Sequence, residues 1–270
     1  MVRLEEPGAP VAYLEVKGLS KNFGGVVALK SVTFGVEQGE IFGLIGPNGA
    51  GKTTVFNLIT GFYRASSGSI LLKGHELTKV NAADIVRLGV ARTFQNIRLF
   101  SNLSVLENVK AACHMKTKYG LGAALLRLPR VVSNEREITE FAMRQLERVG
   151  LQGRWADRAS SLPYGLQRKL EIARALALEP DLLLLDEPAA GMNPDESLEL
   201  VDLIRRIHEE SGLTVILIEH HMDVVMNLCK RILVLNFGEP LAQGTPGEIQ
   251  ADPRVIKAYL GEEFARAGGR

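Results

Sequence analysis

The residues of this chain whose types and spacing most directly imply chemistry are Gly46, Pro47, Asn48, Gly49, Ala50, Gly51, Lys52, Thr53 and Thr54. Their order fits G-x-x-x-x-G-K-[ST], a turn whose glycines let successive backbone N–H groups converge on an anion. A lysine at position 52 reaches the outer phosphates of a polyphosphate, and the Thr53 hydroxyl beside it can ligate Mg²⁺. Such a turn works only between a strand and a helix, because the helix N-terminus adds partial positive charge where the phosphates lie. Both flanks are present. Glu40 to Ile45 is a short apolar run that reads as a buried parallel strand, and Thr54 to Ile59 is apolar at helical spacing. The stretch is read as a nucleoside triphosphate site in preference to a glycine-rich turn that binds nothing.

A second pair of candidates is Asp186 and Glu187, at the carboxyl end of the apolar run Leu182–Leu185. Open α/β sheets place ligands at such strand ends. Asp186 could hold Mg²⁺ opposite Thr53, while Glu187 could orient a water at the terminal phosphate. Taken alone, such a pair is more often a helix cap; the phosphate loop in the same sheet favours the catalytic reading.

The elements that must position these groups follow in order. Tyr13–Val16 and Ser31–Val36 alternate like strands before the phosphate loop, and Ser69–Leu72 is another short strand. Ala82–Leu88 reads as a helix closed by Gly89. From Leu103 to about Gly165 the spacing is helical, with Ile138, Phe141, Ala142, Leu146 and Val149 on one face. Leu170, Ile172, Ala173, Leu176 and Ala177 form the next apolar face, stopped by Glu179-Pro180. Asn193-Pro194-Asp195-Glu196 starts a helix expected to turn Leu198, Val201, Ile204 and Ile207 inward. Thr214–Ile218 is a buried strand, and Arg231–Leu235 with Pro240–Gly244 reads as a closing hairpin. Strands alternating with helices imply an α/β fold, a parallel sheet covered on both faces.

Composition sets bounds. The chain has 270 residues, 46% hydrophobic, 23% charged and a net charge of +1, which offers no global pull toward nucleic acid or anionic lipid. No apolar run approaches the ~20 residues of a membrane helix. Residues 1–10 read as a loose leader whose Glu5, Glu6 and Pro7 stand where a secretory signal needs an apolar core. Cys113 and Cys229 lack metal-ligand spacing and read as buried thiols.

Motifs in this order resemble those of the ATP-binding subunits of ABC transporters, and most of all the ATPase of bacterial branched-chain amino acid importers. Phe23 stands where that family has an aromatic that stacks on adenine, and Gly46–Thr54 is its Walker A loop. Arg92-Thr93-Phe94-Gln95 contains the Q-loop glutamine, Leu162 to Arg168 occupies the signature position, and Leu182–Pro188 is Walker B. Glu219-His220-His221 contains the switch histidine, placed at His220. The resemblance implies a P-loop NTPase (RecA-like) core, mostly parallel, with a small antiparallel β subdomain and an inserted α-helical subdomain. The ATPase domain would run over 11–245 with its helical insertion at about 96–165, and 246–270 would be a short helical tail in which Val255, Ile256, Tyr259 and Leu260 dock a helix. Glu187 would be the general base and Gln95 would contact Mg²⁺ or the attacking water. His220 would hold the γ-phosphate and Glu187 in line. ATP and Mg²⁺ are the implied cofactors.

The signature departs from the common Leu-Ser-Gly-Gly-Gln. Pro163 replaces the serine and has no N–H, Tyr164 replaces a glycine, and Leu166 replaces the glutamine. Backbone N–H groups around Gly165 and the following helix N-terminus would remain as donors to a partner's nucleotide. Asn193 also stands where the family usually has Asp. Implied partners are a second ATPase subunit, two membrane permeases and, indirectly, an external solute-binding protein, with the chain peripheral on the cytoplasmic face. Urea, short amides or another amino acid as cargo, a lipid exporter, a soluble ABC-type ATPase and a non-hydrolysing nucleotide-binding module are the alternatives. The basic run His114 to Val132 reads as a solvated insertion, or else as a contact with head groups or the permease.

Overall fold

The apolar runs read from the sequence become the middle of a sheet. In the computed structural model, which describes residues 12–115 and 129–259, β3 (Ile41–Ile45), β7 (Leu182–Asp186) and β8 (Thr214–Ile218) are buried at every position. Strands apolar on both faces must be covered on both faces, and these are. Ile41, Ile45, Leu183, Leu185, Val215 and Leu217 face one core; Phe42, Leu44, Leu182, Leu184, Ile216 and Ile218 face the other. Each such side chain contributes roughly 1.5–3 kcal/mol on leaving water.

With β6 (Val90–Arg92), β9 (Arg231–Asn236) and β10 (Glu239–Gly244), these strands form a six-stranded sheet of order β10-β9-β3-β8-β7-β6. All neighbours are parallel except the β9–β10 hairpin. A second sheet, of order β2-β1-β4-β5, is antiparallel and built from β1 (Leu14–Phe23), β2 (Val26–Val36), β4 (Ser67–Leu72) and β5 (His75–Glu76). It shares one core with α1 (Lys52–Ile59) and α2 (Ala82–Arg87). The opposite core holds α3 (Val105–His114), α4 (Pro129–Arg148), α5 (Tyr164–Leu176), α6 (Pro194–Ser211), α7 (Met222–Leu228) and α8 (Pro246–Ala251).

Local signals place the ends. Asn193 caps α6 and Glu196 returns the bond, as the sequence pattern required, and Gly212 closes it in the left-handed conformation. The turn between β9 and β10 has Phe237 and Gly238 both at positive φ, the geometry that matches the twist of a hairpin. Between Leu103 and Gly165 the described residues contain no strand, only an isolated bridge from Ser104 to Arg158.

Four expectations change. β1 does not stop before Gly18 but runs to Phe23, because Gly18 at φ +56 accommodates a bulge without breaking the pairing. β2 likewise begins at Val26, five residues before the alternation is visible. Leu198 is 56% exposed. The inward stripe of α6 is Leu200, Val201, Leu203, Ile204 and Ile207, and a residue two places before Leu200 falls on another face. In the tail, Val255 is buried and Tyr259 packs on the core while Ile256 is exposed; Leu260 lies outside the described residues. The leader and most of the basic run at 114–132 also lie outside them. Both cysteines are buried, and burial pushes the Cys229 thiol up to about 12.

Candidate functional site

The turn after β3 is held in shape from behind. Gly46, Gly49 and Gly51 have φ of +146, +78 and +102, which L side chains rarely adopt. A Cβ on Gly46 would lie 2.1 Å from the Leu235 carbonyl oxygen, and one on Gly51 would lie 2.6 Å from Leu29. Gly49, by contrast, faces open space. The Gly238 N–H donates to the Ala50 carbonyl at 3.1 Å, so the β9–β10 turn braces the loop. Lys52 starts α1 and its Nζ donates to the Gly46 and Pro47 carbonyls at 2.6 and 2.9 Å, spanning the loop. Pro47 and Ala50 are buried, Asn48, Gly49 and Thr53 are exposed, and Thr54 is half-buried.

β6, β7 and β8 end side by side, and their ends carry the other groups. Asp186 closes β7 and is 2% exposed. Its Oδ2 accepts from Arg92 Nη2 at 2.7 Å, and Arg92 Nη1 donates to Asn57 Oδ1 at 2.7 Å. The Arg92 guanidinium also lies over the Phe56 and Phe94 rings, at 5.4 and 5.2 Å. Thr53, Asp186 and Gln95 line one cavity of about 220 Å³ together with Asn57, Arg92 and Phe94. A hydroxyl, a carboxylate and an amide oxygen are hard oxygen donors, the set that suits Mg²⁺.

Glu187 follows with φ +47, a left-handed conformation uncommon for a residue with a side chain and of the kind that collects at functional sites. Its N–H donates to the Ile218 carbonyl at 2.8 Å. Two candidates converge on its carboxylate: Gln95 Nε2 donates to Oε2 at 2.7 Å, and His220 Nδ1 lies 3.6 Å from the same oxygen. His221 points elsewhere, its Nδ1 lying 3.2 Å from Glu219 Oε2.

Of the expected site residues, Thr53, Gln95 and Asp186 are in that cavity lining. Phe23 ends β1, packs edge-on against Tyr63 at 5.0 Å between centroids, and has Lys21 Nζ 4.8 Å above its ring. Pro163, Tyr164 and Gly165 form the start of α5, which no side chain caps. Pro163 and Tyr164 are exposed, while Gly165 is buried against Glu196.

Sequence reasoning passed over three buried polar residues around this site. Glu219 is completely buried; its Oε1 accepts from the Ala189 N–H at 2.9 Å and its Oε2 from the His220 N–H at 2.8 Å, tying the loop after β7 to the loop after β8. Arg168 and Glu171 form a buried ion pair at 2.9 Å in α5. The signal for that pair was its i, i+3 spacing beside Ile172 and Ala175 on a face that must be covered.

Residues 29–190 match the family profile described as ABC transporter, and residues 239–265 match that of the branched-chain amino acid ATP-binding cassette transporter. The high-affinity branched-chain amino acid transport ATP-binding protein LivG of Salmonella typhimurium is 48% identical over 249 residues, covering 92% of this chain and 98% of that protein. BraF of Pseudomonas aeruginosa, described in the same words, is 48% identical over 250 residues, with the same coverage of both chains. An ATP-binding cassette of an ABC transporter solved in its ADP conformation superposes with a TM-score of 0.82 at 30% identity, covering 94% of this chain and all of that one. The family match, the identity to the curated relatives and the superposition together show that the chain belongs to the ABC transporter family, as one of its ATP-binding cassettes.

Proposed function

We propose that this chain is the ATP-hydrolysing subunit of an importer of branched-chain amino acids, acting on the cytoplasmic face through separate permeases. One observation carries the hydrolytic part: Gln95 and His220, from different strand ends, meet at the single carboxylate of Glu187 beside the phosphate loop. The cargo is supported by the 48% identity to LivG and BraF over nearly their whole lengths. Methionine or another amino acid is the rival cargo, supported by 34% identity to the methionine import protein MetN of Ralstonia nicotianae.

In this reading the N–H groups of Gly49 to Lys52 and the start of α1 hold the phosphates, and Lys52 exchanges its loop carbonyls for phosphate oxygens. Thr53 and Asp186, with Gln95, would hold Mg²⁺, which supplies charge neutralisation at the outer phosphates when bound. Glu187 accepts the proton of the attacking water, with Gln95 and His220 keeping its Oε2 aimed. Phe23 offers its ring to adenine. Pro163, Tyr164 and Gly165 face a second copy or a related subunit, whose nucleotide they would close; no helix among the described residues is long and apolar enough to cross a membrane, so permeases would supply the path. The ATPase domain extends over 11–245 and the tail over 246–270, and a solute-binding protein would deliver cargo outside.

Co-purification with its permeases, reconstitution, and ATP hydrolysis measured with leucine, isoleucine, valine or methionine test this. Stimulation by the branched-chain set is expected. Stimulation by methionine alone would move the cargo, and absence of hydrolysis under all conditions would remove the function.

A further inference from the structure

Arg168 in α5 has no exposed surface and is the largest side chain so enclosed. An ionised guanidinium is costly to bury unless its donors are matched. Here Nη1 donates to the Phe94 carbonyl at 2.6 Å and to Glu171 Oε2 at 2.9 Å. Nη2 donates to the Gln95 carbonyl at 2.8 Å and to the Tyr164 hydroxyl at 3.0 Å. Glu171 is 1% exposed, and its other oxygen accepts from the Phe94 N–H at 3.3 Å. Arg168 Nε is buried without a partner. Apolar residues of similar volume would fill this face without desolvating two charges, so stability alone does not account for the pair.

What the pair does geometrically is specific. The carbonyls of Phe94 and Gln95 are the two peptide oxygens flanking the Gln95 Cα, so one guanidinium fixes the backbone on both sides of that residue. The direction of the Gln95 side chain is fixed with it, and Gln95 Nε2 ends on Glu187 at 2.7 Å. The same guanidinium holds the Tyr164 hydroxyl in the first turn of α5, and a side chain at Gly191, four residues past Glu187, would come within 3.4 Å of the Tyr164 ring. Burial pushes the Glu171 carboxyl up, and the Arg168 charge beside it pulls it back down.

We propose that Arg168 is a positioning residue: it locks the Gln95 loop to the first turn of α5, so that a displacement of Tyr164 and Gly165 is carried through Gln95 to the Glu187 carboxylate. This rests on the reading of Glu187 as the base. It gives the unusual Tyr164 a task, since its hydroxyl is the outer end of the path.

The test uses the full chain at concentrations where ATP turnover has reached its plateau. Arg168→Met/Glu171→Gln keeps the volume and an acceptor for the Phe94 N–H while removing both charges. Its kcat is expected to fall roughly 10- to 100-fold, the effect of a misplaced catalytic group, with ATP affinity unchanged. In a Gln95→Ala background the same change is expected to add less than about two-fold, because both act through one contact. Wild-type kcat in the Arg168→Met/Glu171→Gln protein, or losses that multiply with Gln95→Ala as a merely structural role would give, overturns the proposal. Tyr164→Phe deletes one hydroxyl and leaves the ring on Gly191. It carries the test should the doubly substituted protein not fold: a several-fold loss that vanishes in the Gln95→Ala background supports the path, and no loss refutes it. Glu187→Gln runs alongside. Wild-type hydrolysis there removes the base and this proposal together, whereas an inactive Glu187→Gln beside an unaffected Arg168→Met/Glu171→Gln removes the positioning role alone.

Discussion

Arg92→Leu is the perturbation whose size follows most directly from the structure. Arg92 and Asp186 pair at 2.7 Å with side chains 8% and 3% exposed, so water does not screen the partner left behind. Removing one member of a buried ion pair costs about 3–5 kcal/mol, because the remaining charge loses its counter-ion without regaining solvent. Leucine still packs against Phe56 and Phe94, so the apolar part of the contact changes little. At ~2–4 °C per kcal/mol for a domain of this size, Tm should fall on the order of 6–20 °C in EDTA. Arg92→Leu/Asp186→Asn should recover most of that loss, since no lone charge remains. A divalent cation beside Asp186 would replace the missing guanidinium, so Mg²⁺ with ATP should raise the Tm of Arg92→Leu by more than it raises that of the native chain. At a hundred times Kd, ligand binding alone supplies about 2.7 kcal/mol, and the difference between the two proteins is what the assay reads. Calorimetry in EDTA, Mg²⁺ and Mg²⁺-ATP measures all three arms. A loss below about 1 kcal/mol, or an Asp186→Asn double variant as unstable as Arg92→Leu, would refute the account of Asp186 as a dry, counter-ion-dependent carboxylate.

Other consequences can be checked in the same preparations. Glu187→Gln keeps the backbone, whose φ of +47 glutamine occupies as well as glutamate does; phosphate release should drop about 10²- to 10⁴-fold with ATP affinity retained. Turnover at the native rate would dismiss Glu187 as the base. Gly46→Ala should abolish nucleotide binding, because its Cβ would meet Leu235 at 2.1 Å, whereas Gly49→Ala, facing open space, should lose only the roughly 1–2 kcal/mol of a left-handed alanine; equal effects in a thermal-shift titration would contradict the loop geometry. Asp252 is held at about 2 by its hydrogen bonds from Arg254, against about 3.9 in an unfolded chain. Its contribution is present above about pH 3.9 and is lost as pH falls through the folded value, so the Asp252 carboxyl resonance should titrate near 2 and move up in Arg254→Ala. An unshifted resonance in that variant would assign the lowering to something else.

The parts of this molecule that were legible in advance are those whose physics is local. A phosphate loop needs glycines at particular backbone angles, a buried strand needs uninterrupted apolar residues, and a helix start needs Asn193 and Glu196 three apart; each leaves a mark within a few residues. Leu198 shows where that stops. Its spacing fits a helical stripe, but which stripe faces the sheet depends on where α6 crosses it, and the choice went to Leu200 and Leu203. Arg168 and Glu171 show it more sharply. Charged residues on a helix are ordinarily read as its solvated face, and only the arrival of Phe94 and Gln95, some seventy positions earlier in the chain, makes that face an interior. The Gln95 backbone has no local reason to hold its conformation: 93–100 contains no helix or strand, and its carbonyls find donors in α5 instead. A loop tethered by a guanidinium from one helix moves when that helix moves. The placement of the glutamine that touches Glu187 is therefore tied to the helix whose first turn carries the exposed Tyr164.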